Sequence, residues 1–108
     1  MDGLTARDRG VLQALTSAGA DLSEPRHALF FLYFGDEPFA AAAGEEARQH
    51  GFEVSVSGPA HPEDDQWCLV CERRDLVTDP RSLPGLDALF SGIAERFEGR
   101  YDGWEASV

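Results

Sequence analysis

Nine consecutive residues constrain this chain more than any others: Arg26-His27-Ala28-Leu29-Phe30-Phe31-Leu32-Tyr33-Phe34. Leu29, Phe31 and Tyr33 fall on one alternating set and Phe30, Leu32 and Phe34 on the other. A strand that is apolar on both sides belongs inside a sheet, with neighbours on both flanks. A second segment of this kind, Trp67-Cys68-Leu69-Val70-Cys71, lies within a strand expected over 66–72. Between them, Phe52-Glu53-Val54-Ser55-Val56-Ser57 alternates cleanly. Phe52, Val54 and Val56 are expected inward and Glu53, Ser55 and Ser57 outward, the pattern of an edge strand with one wet face.

The helices follow from spacing and punctuation. Over 4–18, Val11, Leu12, Leu15 and Ala18 recur every three or four residues and share one face, with Gly19 suited to the stop. Gly35-Asp36-Glu37-Pro38 predicts a helix start. Asp36 is the cap, Glu37 faces the positive end of the dipole, and Pro38 sits in the tolerant first turn. That helix runs to about Gln49 on a stripe of Phe39, Ala42, Ala43 and Ala47, and Gly51 ends it. The spans 58–65 and 78–84 read as loops. A last helix over 84–98 is expected to bury Leu86, Leu89, Phe90, Ile93 and Phe97 and to stop at Gly99. The segment 101–108 reads as a final short strand.

The element order is a helix followed by βαββαβ, an α+β arrangement. Those six elements are the ones of the ferredoxin-like α/β sandwich with an antiparallel sheet. In that topology the first and third strands are central and the other two are edges, which is how the apolar patterns distribute here. The 108 residues make one domain, with an additional N-terminal helix and linker over 1–24 and the core over 25–108. The fold leaves one sheet face without its two helices. Cover is expected from the N-terminal helix, from a second copy in a homodimer, or from a partner.

Charge narrows the partners. Twenty carboxylates face nine basic groups, all of them arginine, for a net charge of −11. That field repels phosphate backbones, so direct nucleic-acid binding is not expected, and it suits a basic protein surface. No apolar run approaches the roughly 20 residues of a membrane span. The opening Met1-Asp2-Gly3-Leu4-Thr5 does not have a signal-peptide pattern, and a cytoplasmic location is expected.

The chemistry-bearing residues form no reactive constellation. Cys68 and Cys71 match C-x-x-C, but three residues apart on a strand their sulfurs project to opposite faces. They can neither pair nor share a metal, and His27, His50 and His61 have no chelating spacing. No catalytic residue, metal or cofactor is expected. Phe30, Tyr33 and Trp67 resemble an RNA-stacking platform, but too few arginines surround them for that use. His61 beside Glu63, Asp64 and Asp65 suggests a solvated acidic loop that steers a basic partner.

Tyr101-Asp102-Gly103-Trp104-Glu105 is the most distinctive stretch. One reading is a kink or bulge at Gly103 with Trp104 packed on the core. The other is a surface patch in which Tyr101, Asp102, Trp104 and Glu105 touch a partner together with Glu63, Asp64 and Asp65.

Tyr101-Asp102-Gly103-Trp104, preceded by Ala94-Glu95-Arg96-Phe97, resembles the end of the regulator of ribonuclease E activity B (RraB-like) family. Gly51-Phe52-Glu53-Val54 after an alanine-rich helix, and the apolar strand from Trp67 to Cys71, extend the likeness over nearly the whole chain. The resemblance implies a ferredoxin-like sandwich that binds ribonuclease E, inhibits its endonucleolytic cleavage and so alters RNA decay. It implies a non-catalytic protein-binding regulator without a cofactor. Family members commonly extend into a strongly acidic tail, whereas the acids here are spread through the domain. The competing expectation is a small ligand-binding domain or enzyme with a pocket on the open sheet face.

Overall fold

The computed structural model describes residues 3–59 and 66–108. The elements, in chain order, are α1 (Ala6–Ser17), β1 (Arg26–Phe34), α2 (Glu37–Gln49), β2 (Glu53–Ser57), β3 (Trp67–Leu76), α3 (Leu83–Arg96) and β4 (Arg100–Ala106). The strands form one four-stranded sheet in the order β2-β3-β1-β4, every adjacent pair antiparallel. The two strands that are apolar on both sides are the central ones, as their patterns require.

Burial along β1 alternates without a break. Arg26, Ala28, Phe30, Leu32 and Phe34 are buried, while His27, Leu29, Phe31 and Tyr33 are half-buried. The buried set faces the helices. Phe30, fully buried, stacks on Phe90 of α3 at 4.5 Å between centroids and meets Phe52 edge-on at 5.7 Å. Leu69 and Cys71 of β3 complete this floor. Such ring pairs add about 0.5–1.5 kcal/mol each beyond the area they bury.

Helix α2 begins as its punctuation predicts, with Asp36 accepting from Phe39 N at 3.0 Å. Its buried stripe is Ala40, Ala43, Gly44 and Ala47, whereas Ala42 is exposed and Phe39 only half-buried. This stripe is rotated from the expected one, which takes its phase from the large Phe39. The small residues set the contact, since they let α2 lie directly on Leu69 and Val54. Strand β3 runs four residues beyond its expected end, because Arg73 and Leu76 pair with Ala28 and Arg26 of β1. Backbone pairing carries it on after the apolar pattern has stopped.

Helix α3 starts at Leu83, which is fully buried, and does not end on Gly99. Glu98 takes the left-handed conformation at φ 59. Glu98 N donates to Glu95 O at 3.4 Å and Gly99 N to Ala94 O at 2.7 Å, the paired bonds of a Schellman cap. Position 99 requires glycine for another reason. A Cβ there would collide with the Phe34 ring and lie 2.6 Å from Tyr33 O.

Helix α1 does not cover the open sheet face. Leu12 and Leu15 join the same core as Phe30 and Phe90, so α1 extends the helical layer alongside β4. Ala18, expected on its apolar face, is exposed. Thr5 and Asp8 form a capping box, with Asp8 N donating to Thr5 Oγ1 at 3.0 Å and Thr5 N to Asp8 Oδ2 at 3.1 Å.

Candidate functional site

Strand β4 owes its geometry to one extra residue. Phe31 pairs with Gly103 and Leu32 with Tyr101, so Asp102 has no partner in the ladder. Residues three apart in a regular strand point to opposite faces. The bulge restores both Tyr101 and Trp104 to the helical side, where Tyr101 lies 5.7 Å from Phe90 and Trp104 6.2 Å from Phe30. Gly103 has φ 123, a conformation open to glycine, and a Cβ there would come within 2.7 Å of Arg7 Cδ.

The bulge divides the sequence-predicted site residues between two environments. Trp104 is 5% exposed and offers a partner almost no surface. Tyr101 is half-buried with its hydroxyl 3.4 Å from Asp87 Oδ1. Asp102 and Glu105 are exposed. Asp102 pairs with Arg100 at 3.6 Å, and Arg100 lies over the Tyr33 ring at 5.3 Å. Glu63, Asp64 and Asp65 lie outside the described residues, as does His61.

Beneath β4 is a polar cluster that sequence reasoning missed. Trp104 Nε1 donates to Asp8 Oδ1 at 2.8 Å, joining residues 96 positions apart. Asp8 is 1% exposed, and Asp87 of α3 stands beside it, with Arg7 close by. Burial, then the hydrogen bond and the negative charge of Asp8, push the Asp87 carboxyl up to about 7. Burial works against the ionised Asp8 too, but bonds from Asp87, Trp104 and Thr5 outweigh it and hold its pKa below the usual value. Asp87 Oδ2 is buried with no donor. Proton sharing between two such carboxyls satisfies that oxygen, with protonated Asp87 donating to Asp8. The Thr5-x-x-Asp8 box was the one local signal. Nothing local ties Asp87 to it.

The helix-free face is ordered in rows across the four strands. Glu105, Leu29, Glu72 and Glu53 are successive cross-strand partners. The next row is Gly103, Phe31, Val70 and Ser55, and the third is Arg100, Tyr33, Cys68 and Ser57. The face thus passes from an acidic row to an apolar and aromatic one. His27 Nε2 bonds to Glu72 Oε2. Arg74 approaches Glu53 at 3.8 Å and Glu72 at 3.9 Å, both long, exposed contacts of small worth. Glu105 has no ion-pair partner among the described residues. A cavity of about 230 Å³ lies between Leu29 and Glu105, lined also by His27, Ala106 and Ser107. Another, of about 140 Å³, has Val70 with Glu53 and Glu72 in its lining.

The remaining candidates disperse. Of Phe30, Tyr33 and Trp67, only Tyr33 is on the open face, because Phe30 and Trp67 belong to the set facing the helices. Cys68 pairs with Tyr33 and Cys71 with Phe30, on opposite faces. Burial raises both thiols, Cys71 to about 12, so neither is a thiolate nucleophile at neutral pH. Among the described residues, no group of three or more His, Cys, Asp and Glu could hold a metal ion, and no helix is long and apolar enough to cross a membrane.

A family model described as "Regulator of ribonuclease activity B" matches residues 5–106, from the Thr5 cap to the end of β4. The chain belongs to this RraB family. No match was found to an individually curated protein. Family membership makes the chain a member of a group that regulates ribonuclease activity. The match includes α1, so the helix fastened by Asp8 lies within the family's domain.

Proposed function

We propose that this chain is a non-catalytic regulator that inhibits a ribonuclease of the ribonuclease E type by direct protein–protein contact in the cytoplasm, and so modulates RNA decay. One observation carries the reading: the ribonuclease-regulator family model spans nearly the whole chain. In this reading the fold is a ferredoxin-like sandwich with a helix added at its N-terminus, and 1–108 is one domain. The strand order β2-β3-β1-β4 supports it, with α1 packed beside β4 on the shared core.

The docking surface combines Asp102, Glu105 and the edge of β4 with the acidic loop carrying Glu63, Asp64 and Asp65. Tyr101 and Trp104 act from beneath by holding that strand in place. Carboxylates at this surface compete with RNA for a basic region of the enzyme, which blocks substrate entry without any chemistry by the regulator. The net charge of −11 makes long-range attraction to such a region dependent on salt.

The test is RNA cleavage by the purified endoribonuclease of the source organism, with and without added protein. Inhibition should weaken with rising salt and in an Asp102→Asn, Glu105→Gln double variant that keeps its thermal stability. Unchanged cleavage at saturating protein would refute the regulator reading.

A further inference from the structure

The helix-free sheet face carries no packed element among the described residues. Its grading has a consequence for what can lie on it. Glu105, Glu72 and Glu53 stand in one cross-strand row with Leu29 among them. Strands are about 4.8 Å apart, so the row extends about 14 Å across the sheet. The apolar row of Phe31 and Val70, and Tyr33 beyond it, run parallel at about 7 Å intervals. An α-helix rises 1.5 Å per residue, and about ten residues cover that length. A helix lying across the strands would present one stripe to the carboxylates and a neighbouring stripe to the aromatic rows.

Other occupants fit less well. The described helix outside the βαββαβ core, α1, is held on the opposite layer by Trp104 and Asp8. A second copy would bring two acidic rows, and two chains of net charge −11, into one interface. A nucleic acid meets the same repulsion from Glu53, Glu72 and Glu105. A basic amphipathic helix meets charge complementarity on one side and apolar cover on the other. The two cavities, one beside Glu105 over Leu29 and one beside Glu53 and Glu72 over Val70, can receive long cationic side chains along its basic stripe.

We propose that this face receives an amphipathic helix of a partner protein, lying across the strands. Its arginines or lysines sit over Glu105, Glu72 and Glu53, and its apolar residues over Phe31 and Val70. The inference rests on the regulator reading only in taking the occupant to be a protein.

The experiment uses the full chain and two synthetic helical peptides of equal composition. In one, arginines and leucines form adjacent stripes at i, i+3, i+4 and i+7. In the other they are scattered around the helix. Backbone chemical shifts should move at Leu29, Phe31, Val70 and Glu105 with the striped peptide, and the scattered isomer should bind at least about fivefold more weakly. The Glu53→Gln, Glu105→Gln variant should lose about fivefold in affinity. Glu45→Gln with Glu95→Gln, an equal change of net charge on the helical side, should lose less than about twofold. Equal loss in both variants, shifts confined to α2 and α3, or a dimer that buries this face in sedimentation would each overturn the proposal. The two readings also fail separately. Ribonuclease inhibition that falls in the Asp102→Asn, Glu105→Gln variant but ignores Glu53→Gln sinks the helix-docking face alone. Striped-peptide binding without any effect on the enzyme supports the face and counts against the regulator.

Discussion

Replacing Asp87 by asparagine should make the protein more stable at alkaline pH and should flatten its response to pH. Groups from three elements meet at this pair of carboxyls: Thr5 and Trp104 donate to Asp8, while Asp8, Arg7 and Tyr101 act on Asp87. The Asp87 pKa rises from 3.8 to about 7 on folding. The folded state therefore holds a proton that the unfolded chain has released between those values. Its contribution is complete below about pH 4 and is lost as pH rises through about 7. At about 1.36 kcal/mol per pKa unit the ceiling is about 4 kcal/mol. Asp87 is only half-buried, and solvent screening reduces this to about 1–2 kcal/mol. The lowered Asp8 pKa acts in the opposite direction, but at more acidic pH. In the variant, the asparagine amide donates to Asp8 at every pH, as the protonated acid does, while its oxygen keeps the Tyr101 contact. Urea unfolding followed by tryptophan fluorescence at pH 5, 6, 7 and 8 measures the difference. Asp87→Asn should match the wild type at pH 5 and exceed it by about 1–2 kcal/mol at pH 8. Parallel pH profiles for the two proteins would refute proton sharing.

Two further substitutions probe the supports of β4 and α3. Trp104→Phe keeps the packing on Phe30 but leaves Asp8 Oδ1 without its indole donor, and should cost about 1–3 kcal/mol in urea unfolding. Glu98→Gly relieves a side chain held at φ 59 and should stabilise by about 1 kcal/mol, raising the thermal midpoint by about 4–6 °C in calorimetry.

The sheet was legible because its evidence is local. Doubly apolar Arg26–Phe34 and the alternation around Val54 each state a position in the sheet, and the strand order agrees with both. The Asp36 cap is likewise written within four residues. The misreadings share a cause. Arg73 to Leu76 became strand through a partner about 45 residues away, and the small residues of α2 took the contact that the larger Phe39 suggested for its own side. At the candidate site, the reading of a bulge at Gly103 with Trp104 packed on the core is the one the ladder bears out, while the alternative of Trp104 as a surface contact fails on its burial. The Asp8–Asp87 pair was beyond reach, since each alone reads as an ordinary helix-surface acid until burial brings them together.

The unpaired residue in β4 is spare length in that strand. Asp102 faces solvent and can change identity with little effect on the interior. Deleting it would remove the bulge and leave Tyr101 and Trp104 two residues apart, still on one face, with Gly103 still opposite Phe31. Between Tyr101 and Trp104 the gene can lose a codon and keep both rings inside, whereas straightening the strand with all its residues retained would exchange inside for outside.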